Sequence, residues 1–195
     1  MASADLRVTF EQLREQCIWI RTCFSTNKDL FDSSETCKDL MRKSAPLFFG
    51  ELNRILYEYY VLQVCKLTDP ASSTVKGVRR FNLTVAHVND LLRTEGLMTP
   101  EIEKASVGLM NYRANILELA RNRQISHSDK ETVLTFVEHG KHTRQEADAF
   151  HDYLQAYADG VGNAVGLGPL DFSTTSGAGD VLDLFKALNG GEYPR

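Results

Sequence analysis

The chain has 195 residues, 43% of them hydrophobic, and a formal net charge of -4 at pH 7. That is enough apolar material for one domain with a real core, or one domain with a short appendage. The acidic balance argues against a broad electrostatic grip on nucleic acid, so any such contact has to be local. No run approaches the roughly 18 apolar residues of a membrane-spanning helix, and Asp5, Arg7 and Glu11 spoil the N-terminus as a signal peptide, so a soluble, cytoplasmic protein is expected.

The chain reads as helical almost throughout. Thr9 and Gln12 form a capping box opening a first helix, and Phe10, Leu13, Cys17, Ile20 and Phe24 follow at alternating three and four spacing as one buried stripe. Residues 33–43 make a short second helix. Ser44 caps a third, with Pro46 in its first turn, running to about Leu67. That helix carries Phe48, Phe49, Leu52, Ile55, Leu56, Tyr59, Tyr60, Leu62, Val64 and Leu67, apolar around most of its circumference, which places it in the middle of a bundle.

The stretch TDPASSTVKG breaks the pattern with proline, glycine and small hydroxyl residues and reads as a surface connection. Arg79 and Arg80 follow in a loop, as an auxiliary phosphate contact or a solvated pair. A modest helix spans about Thr84 to Arg93. Thr99, Pro100, Glu101 and Glu103 start the next, whose stripe is Ile102, Ala105, Leu109, Tyr112, Ile116 and Leu119. TVLTFV at 132–137 fits either a strand or a helix. Thr143 and Glu146 form another capping box, and Ala147, Phe150, Leu154, Tyr157, Val161 and Val165 mark a last long helix. From Gly166 the chain is rich in glycine, serine and threonine and ends in a small apolar cluster, Val181, Leu182, Leu184, Phe185 and Leu188, read as a docked appendage on a mobile link. The fold class is all-α: a bundle of about five to six helices over residues 1–165, then a tail over 166–195 with a short helix.

Cys17, Cys23, Cys37 and Cys65 contain no C-x-x-C pair and read as reduced packing residues. His139, His142 and His151 match no ligand spacing and are taken as surface histidines, so no metal and no cofactor is expected. Tyr57, Tyr59 and Tyr60 read as core and interface rather than as a base-stacking platform.

RNRQISHSD, at 121–129, is the stretch that carries chemistry. Continuing the stripe past Leu119 lands on Arg123 and then on Ser126 or His127, so polar residues take the line that core residues held. Burying them without partners would cost on the order of several kcal/mol. The helix therefore projects from the core here, or these side chains face a cleft or a second subunit. Arg121 and His127 are roughly 120° apart around a helix and about 9 Å apart along it. For both to meet one phosphate, the helix ends between them or a partner chain completes the site.

Arg121, Asn122 and His127, in the pattern R-N-x-x-x-x-H, resemble the signature of the HEPN superfamily, compact helical domains many of which are metal-independent ribonucleases. FFGELNRILYEYYVLQVCKLTDPASST at 48–74, followed by ARNRQISHSD, is similar to the branch named for U-type abortive-infection proteins of prokaryotes, over roughly residues 8–160. The resemblance implies an HEPN-like bundle working as a homodimer, in which two motifs form a composite cleft that cleaves RNA through the ribose 2′-hydroxyl. By position, His127 is the acid or base, Arg121 the phosphate clamp and Asn122 an orienting group. Histidine suits proton transfer near neutral pH and arginine holds phosphate oxygens in a charged fork. Arg113, Arg121, Arg123 and Lys130 outnumber Glu118 and Asp129 between 113 and 130, so Arg113, Arg123 and Lys130 are candidate RNA contacts. An antitoxin protein is a candidate partner.

Two other readings stand beside this one. Cations near a helix C-terminus offset its dipole without any catalytic role, and Ser128 with Glu131 would cap a following helix. A non-catalytic helical module that binds RNA, nucleotide or protein through the same motif is the functional alternative.

Overall fold

Helix α1 (Ala4–Phe31) starts at Ser3, not at Thr9. Ser3 Oγ accepts from the Leu6 amide at 3.1 Å, while the Ser3 amide and hydroxyl donate to Glu95. A cap anchored to a second element overrides the capping box one turn later, and Thr9 becomes an interior residue. The stripe consequently begins at Leu6 and continues through Phe10, Leu13, Cys17 and Ile20, all buried. The computed structural model describes residues 2–122, 142–174 and 177–194.

Helix α2 (Glu35–Ser44) is N-capped by Ser34 and joined to α3 (Pro46–Leu67) by Ala45 alone. Ser44 is thus the last residue of α2 and does not cap α3. Pro46 still opens α3, because the amide it lacks would have had no intrahelical partner there. The expectation that α3 runs through the middle of the bundle is corrected. Tyr60, Val61, Val64, Cys65 and Leu67 are buried, but Leu47 (74%), Phe48, Ile55 (60%) and Tyr59 are exposed. Among the described residues, α3 contributes to both cores but leaves Leu47, Phe48, Ile55 and Tyr59 uncovered, and an all-round apolar surface does not by itself recruit a second layer.

The segment after α3 does more than connect. β1 (Ser72–Val75) pairs antiparallel with β2 (Val78–Phe81) across Lys76 and Gly77, at φ 50° and 77°. Two successive left-handed residues make the turn whose twist matches the strands, and glycine takes one of them without strain. Arg79 and Arg80 therefore lie in a strand, not a loop. Thr84 caps α4 (Val85–Thr94), and Thr99 caps α5 (Pro100–Tyr112) by accepting from the Ile102 amide at 3.3 Å.

Past Tyr112 the chain forms a π-helical turn, Arg113–Leu117, before one more α turn, α6 (Glu118–Ala120). The wider turn holds one extra residue, so every later side chain is displaced around the axis. Leu117 and Ala120 are buried, whereas Leu119 is 53% exposed, so the expected stripe fails at Leu119, while Ile116, partly buried, packs at the edge of the main core.

Helix α7 (Arg144–Ala164) opens on the anticipated box: Thr143 Oγ1 accepts from the Glu146 amide, and Glu146 accepts from the Thr143 amide at 2.7 Å. It packs closely on α5. A Cβ on Gly108 would sit 2.5 Å from the Tyr153 ring, and one on Gly160 would meet Ile102 at 2.8 Å, so glycine sets the interhelical approach at both points. Beyond α7, Phe172 inserts into the main core, and the Arg21 guanidinium donates twice to the Ser173 carbonyl at 3.1 and 2.9 Å. Helix α8 (Val181–Leu188) docks as expected, with Phe185 joining Leu30, Cys37, Met41 and Phe49 in a second, smaller core. Among the described residues the fold is mostly helical with one two-stranded sheet. No helix among the described residues is long and apolar enough to cross a membrane.

Candidate functional site

The C-terminus of α3 and the π-helical turn meet at Asp69. Thr68 ends α3 with its hydroxyl donating to the Val64 carbonyl at 2.7 Å, which leaves its own carbonyl directed elsewhere. Arg113 takes that carbonyl with Nη1 at 2.9 Å and the Asp69 carboxylate with Nη2 at 3.0 Å. The other Asp69 oxygen faces Arg121 Nη2 at 3.9 Å, an ion pair too long for a hydrogen bond. Arg121 Nη1 donates to Asn122 Oδ1 at 2.9 Å. Two guanidiniums thus share one carboxylate, a local surplus of one positive charge. The side chains of Arg113, Asp69 and Arg121 retain 19%, 25% and 34% of their exposure, and the Nε of each arginine is buried without a hydrogen-bond partner among the described residues.

Of the sequence candidates, Arg121, Asn122 and Arg113 come together here. Arg113 is anchored to Thr68 and Asp69. Arg123, His127, Lys130 and Asp129 lie outside the described residues, as do Ser126, the Ser128–Glu131 box, segment 132–137 and His139. Asp69 was missed. A signal was available: an acid just past a helix C-terminus opposes the dipole, so it points to a cation from elsewhere in the chain.

Burial pushes the Cys65 thiol up to about 11, with Arg113 and Arg121 pulling in the opposite direction, and it stays protonated beside the arginines. All four cysteines are buried and unpaired, in keeping with packing roles.

Aromatic rings from α3, α5 and α7 cluster around Tyr112, the residue before Arg113. His142 lies against Tyr57 and Tyr112 at centroid distances of 6.2 and 5.9 Å. His151 is buried, not a surface residue as expected, with Nε2 3.3 Å from the Tyr60 hydroxyl and its ring 4.1 Å from Phe24. Its place on the inner face of α7, one residue after Phe150, explains the miss. Burial, reinforced by Arg21, Lys28 and His142, pushes its pKa down to about 3, so it is a neutral core group at physiological pH. Burial likewise pushes the Tyr60 and Tyr112 phenols up, leaving neither able to act as a base there. Among the described residues, no three His, Cys, Asp or Glu side chains are grouped as a metal site would require.

The HEPN_AbiU2 family, described as AbiU2, matches the chain over residues 3–184. The chain belongs to this family. The match covers the α3 terminus, the π-helical turn and Arg121, and it continues through most of the tail, well past the resemblance read from the motifs. No curated protein and no solved structure matches the chain. As a member of the abortive-infection branch of the HEPN superfamily, the protein carries Arg121 and Asn122 directly after α6, with Arg121 paired to the acid just past the end of α3.

Proposed function

We propose that this HEPN protein is a metal-independent RNA endonuclease of the toxin or phage-defence kind, acting as a homodimer whose two motifs share one cleft. The observation that carries the reading is the setting of Arg121: half-buried, oriented by Asn122, and held in a cluster with one net positive charge. A guanidinium so placed can exchange its long contact with Asp69 for two-point contact with a phosphate. In the reaction, His127 as base removes the ribose 2′-hydroxyl proton and the 2′-oxygen bonds to phosphorus. The phosphorus–5′-oxygen bond breaks, and an acid, the His127 of the second motif, protonates the leaving oxygen. The products are a 2′,3′-cyclic phosphate and a 5′-hydroxyl. Arg121 acts where negative charge accumulates on the pentavalent phosphorus.

The test is cleavage of single-stranded RNA by the purified protein in the presence of a chelator. The wild type cuts, and His127→Ala slows cutting by on the order of 10² or more. Equal rates for the two proteins would remove the proposal. Asp69, already answering both arginines, favours a second reading, a non-catalytic module for RNA, nucleotide or a protein partner. That module would show no cleavage, yet lose binding in Arg121→Ala.

A further inference from the structure

We propose that the β1–β2 hairpin is the arm by which this protein holds single-stranded RNA beside Arg121, an inference that rests on the RNA reading of that site. The chain as a whole is acidic, yet residues 70–89 contain Lys76, Arg79 and Arg80 and no aspartate or glutamate. Every residue from Ser73 to Phe81 is exposed. A two-stranded hairpin uncovered on both faces gains little from its own packing, so its cations and rings stand open to a ligand.

The register sorts these groups onto two faces. Thr74 pairs with Arg79 and Ser72 with Phe81, so Arg79 and Phe81 share one face, while Arg80, opposite Ser73, lies on the other. On the first face Arg79 lies over the Phe81 ring, 5.1 Å from its centroid, and Phe81 stacks with His87 at 5.2 Å. Arg79 Nε donates to Ser72 Oγ at 3.0 Å, which fixes the guanidinium plane and leaves its two terminal nitrogens without a hydrogen bond among the described residues. Phe81 is 64% exposed even so. Flat rings beside an oriented guanidinium are what unpaired bases and their phosphates engage, whatever the sequence. Arg80, with no ion pair among the described residues, adds a phosphate contact on the other face.

The hairpin is also rooted at the site. Asn82 closes its base, its amide donating to the Ala71 carbonyl and its side chain to the Pro70 carbonyl, both at 2.9 Å. Both carbonyls lie within two residues of Asp69, the acid that pairs with Arg113 and Arg121. A strand held along the hairpin is thereby led toward the arginines.

The experiment is fluorescence anisotropy with a labelled single-stranded oligouridylate, in a His127→Ala background so that the probe stays intact. Arg79→Ala with Arg80→Ala should weaken binding and flatten the slope of log affinity against log salt by about 1.4, two single-strand phosphate contacts. Phe81→Ala should weaken binding roughly fivefold or more and leave the slope unchanged. Helicity should not change, since these side chains lie outside both cores. Parent-like affinity in all variants, or no binding by the parent, overturns the proposal. Loss of self-association in Phe81→Ala with RNA affinity intact would also overturn it, making the hairpin a protein interface. Cleavage by the His127-bearing protein is scored separately. A chain that binds through the hairpin but never cuts sinks the nuclease reading alone, and one that cuts and binds regardless of Arg79, Arg80 and Phe81 sinks the arm alone.

Discussion

Helices α1 and α5 are written in the same code and end differently. Both place apolar residues at alternating three and four spacing. In α1 the stripe runs from Leu6 to Ile20 without a slip, because no residue on that line has a stronger claim on it. In α5 the residue after Tyr112 is Arg113, whose fork is bound to the Thr68 carbonyl and the Asp69 carboxylate. The turn there widens to the π form, Leu117 and Ala120 take the centre of the stripe while Ile116 moves to its edge and Leu119 out of it, and Arg121, four residues after Leu117, falls where a regular helix would have put Ala120. Hydrophobic period reports burial only while the helix keeps its own period, and π-turns concentrate where function has intervened.

The sharpest way to break this comparison is to truncate on either side of the slip. Leu117→Ala should cost about 2–5 kcal/mol, the range for a fully buried leucine, while Leu119→Ala should cost well under about 1 kcal/mol. Denaturant unfolding measures both, and the reverse order would restore the uninterrupted stripe. Next in size is an acid effect where α1 meets α7. His151 binds no proton in the folded protein until about pH 3, but does so in the unfolded chain near its ordinary value of 6.5. The unfolded state therefore takes up more protons below 6.5, and stability falls with pH from there toward 3. The loss from this one group is on the order of 2 kcal/mol by pH 5. Urea midpoints across that interval check it, and His151→Phe should lower stability at pH 7 while flattening the dependence. The smallest effect concerns where α1 begins. Ser3→Ala should cost about 1 kcal/mol through loss of the cap, and Thr9→Ala should be nearly neutral or slightly stabilising, as expected inside a helix.

Much of the fold was legible wherever the governing interaction is local. Thr84, Thr99 and Thr143 mark helix starts through bonds to their own first turn, and the proline at position 46 marks another by lacking an amide. The hairpin was not legible, since Lys76-Gly77 is a weaker turn signal than Asn-Gly and its strands are four residues long with no buried face. His151 was missed because histidine is as common outside as inside, and only its position beside Phe150 and Phe24 decides.

The site divides in the same manner. Arg121 and Asn122 stand out as candidates through the family motif in the order of residues, while the helical class, the starts at Thr99 and Thr143 and the apolar cluster of the tail are legible through neighbours within a turn or composition. Asp69 as the partner of Arg113 and Arg121, the one-residue slip that brings Arg121 inward, and the open flank of α3 were decided by tertiary structure. These are contacts through space between groups dozens of residues apart, and no periodicity along a single chain encodes which carboxylate will stand within 4 Å of which guanidinium.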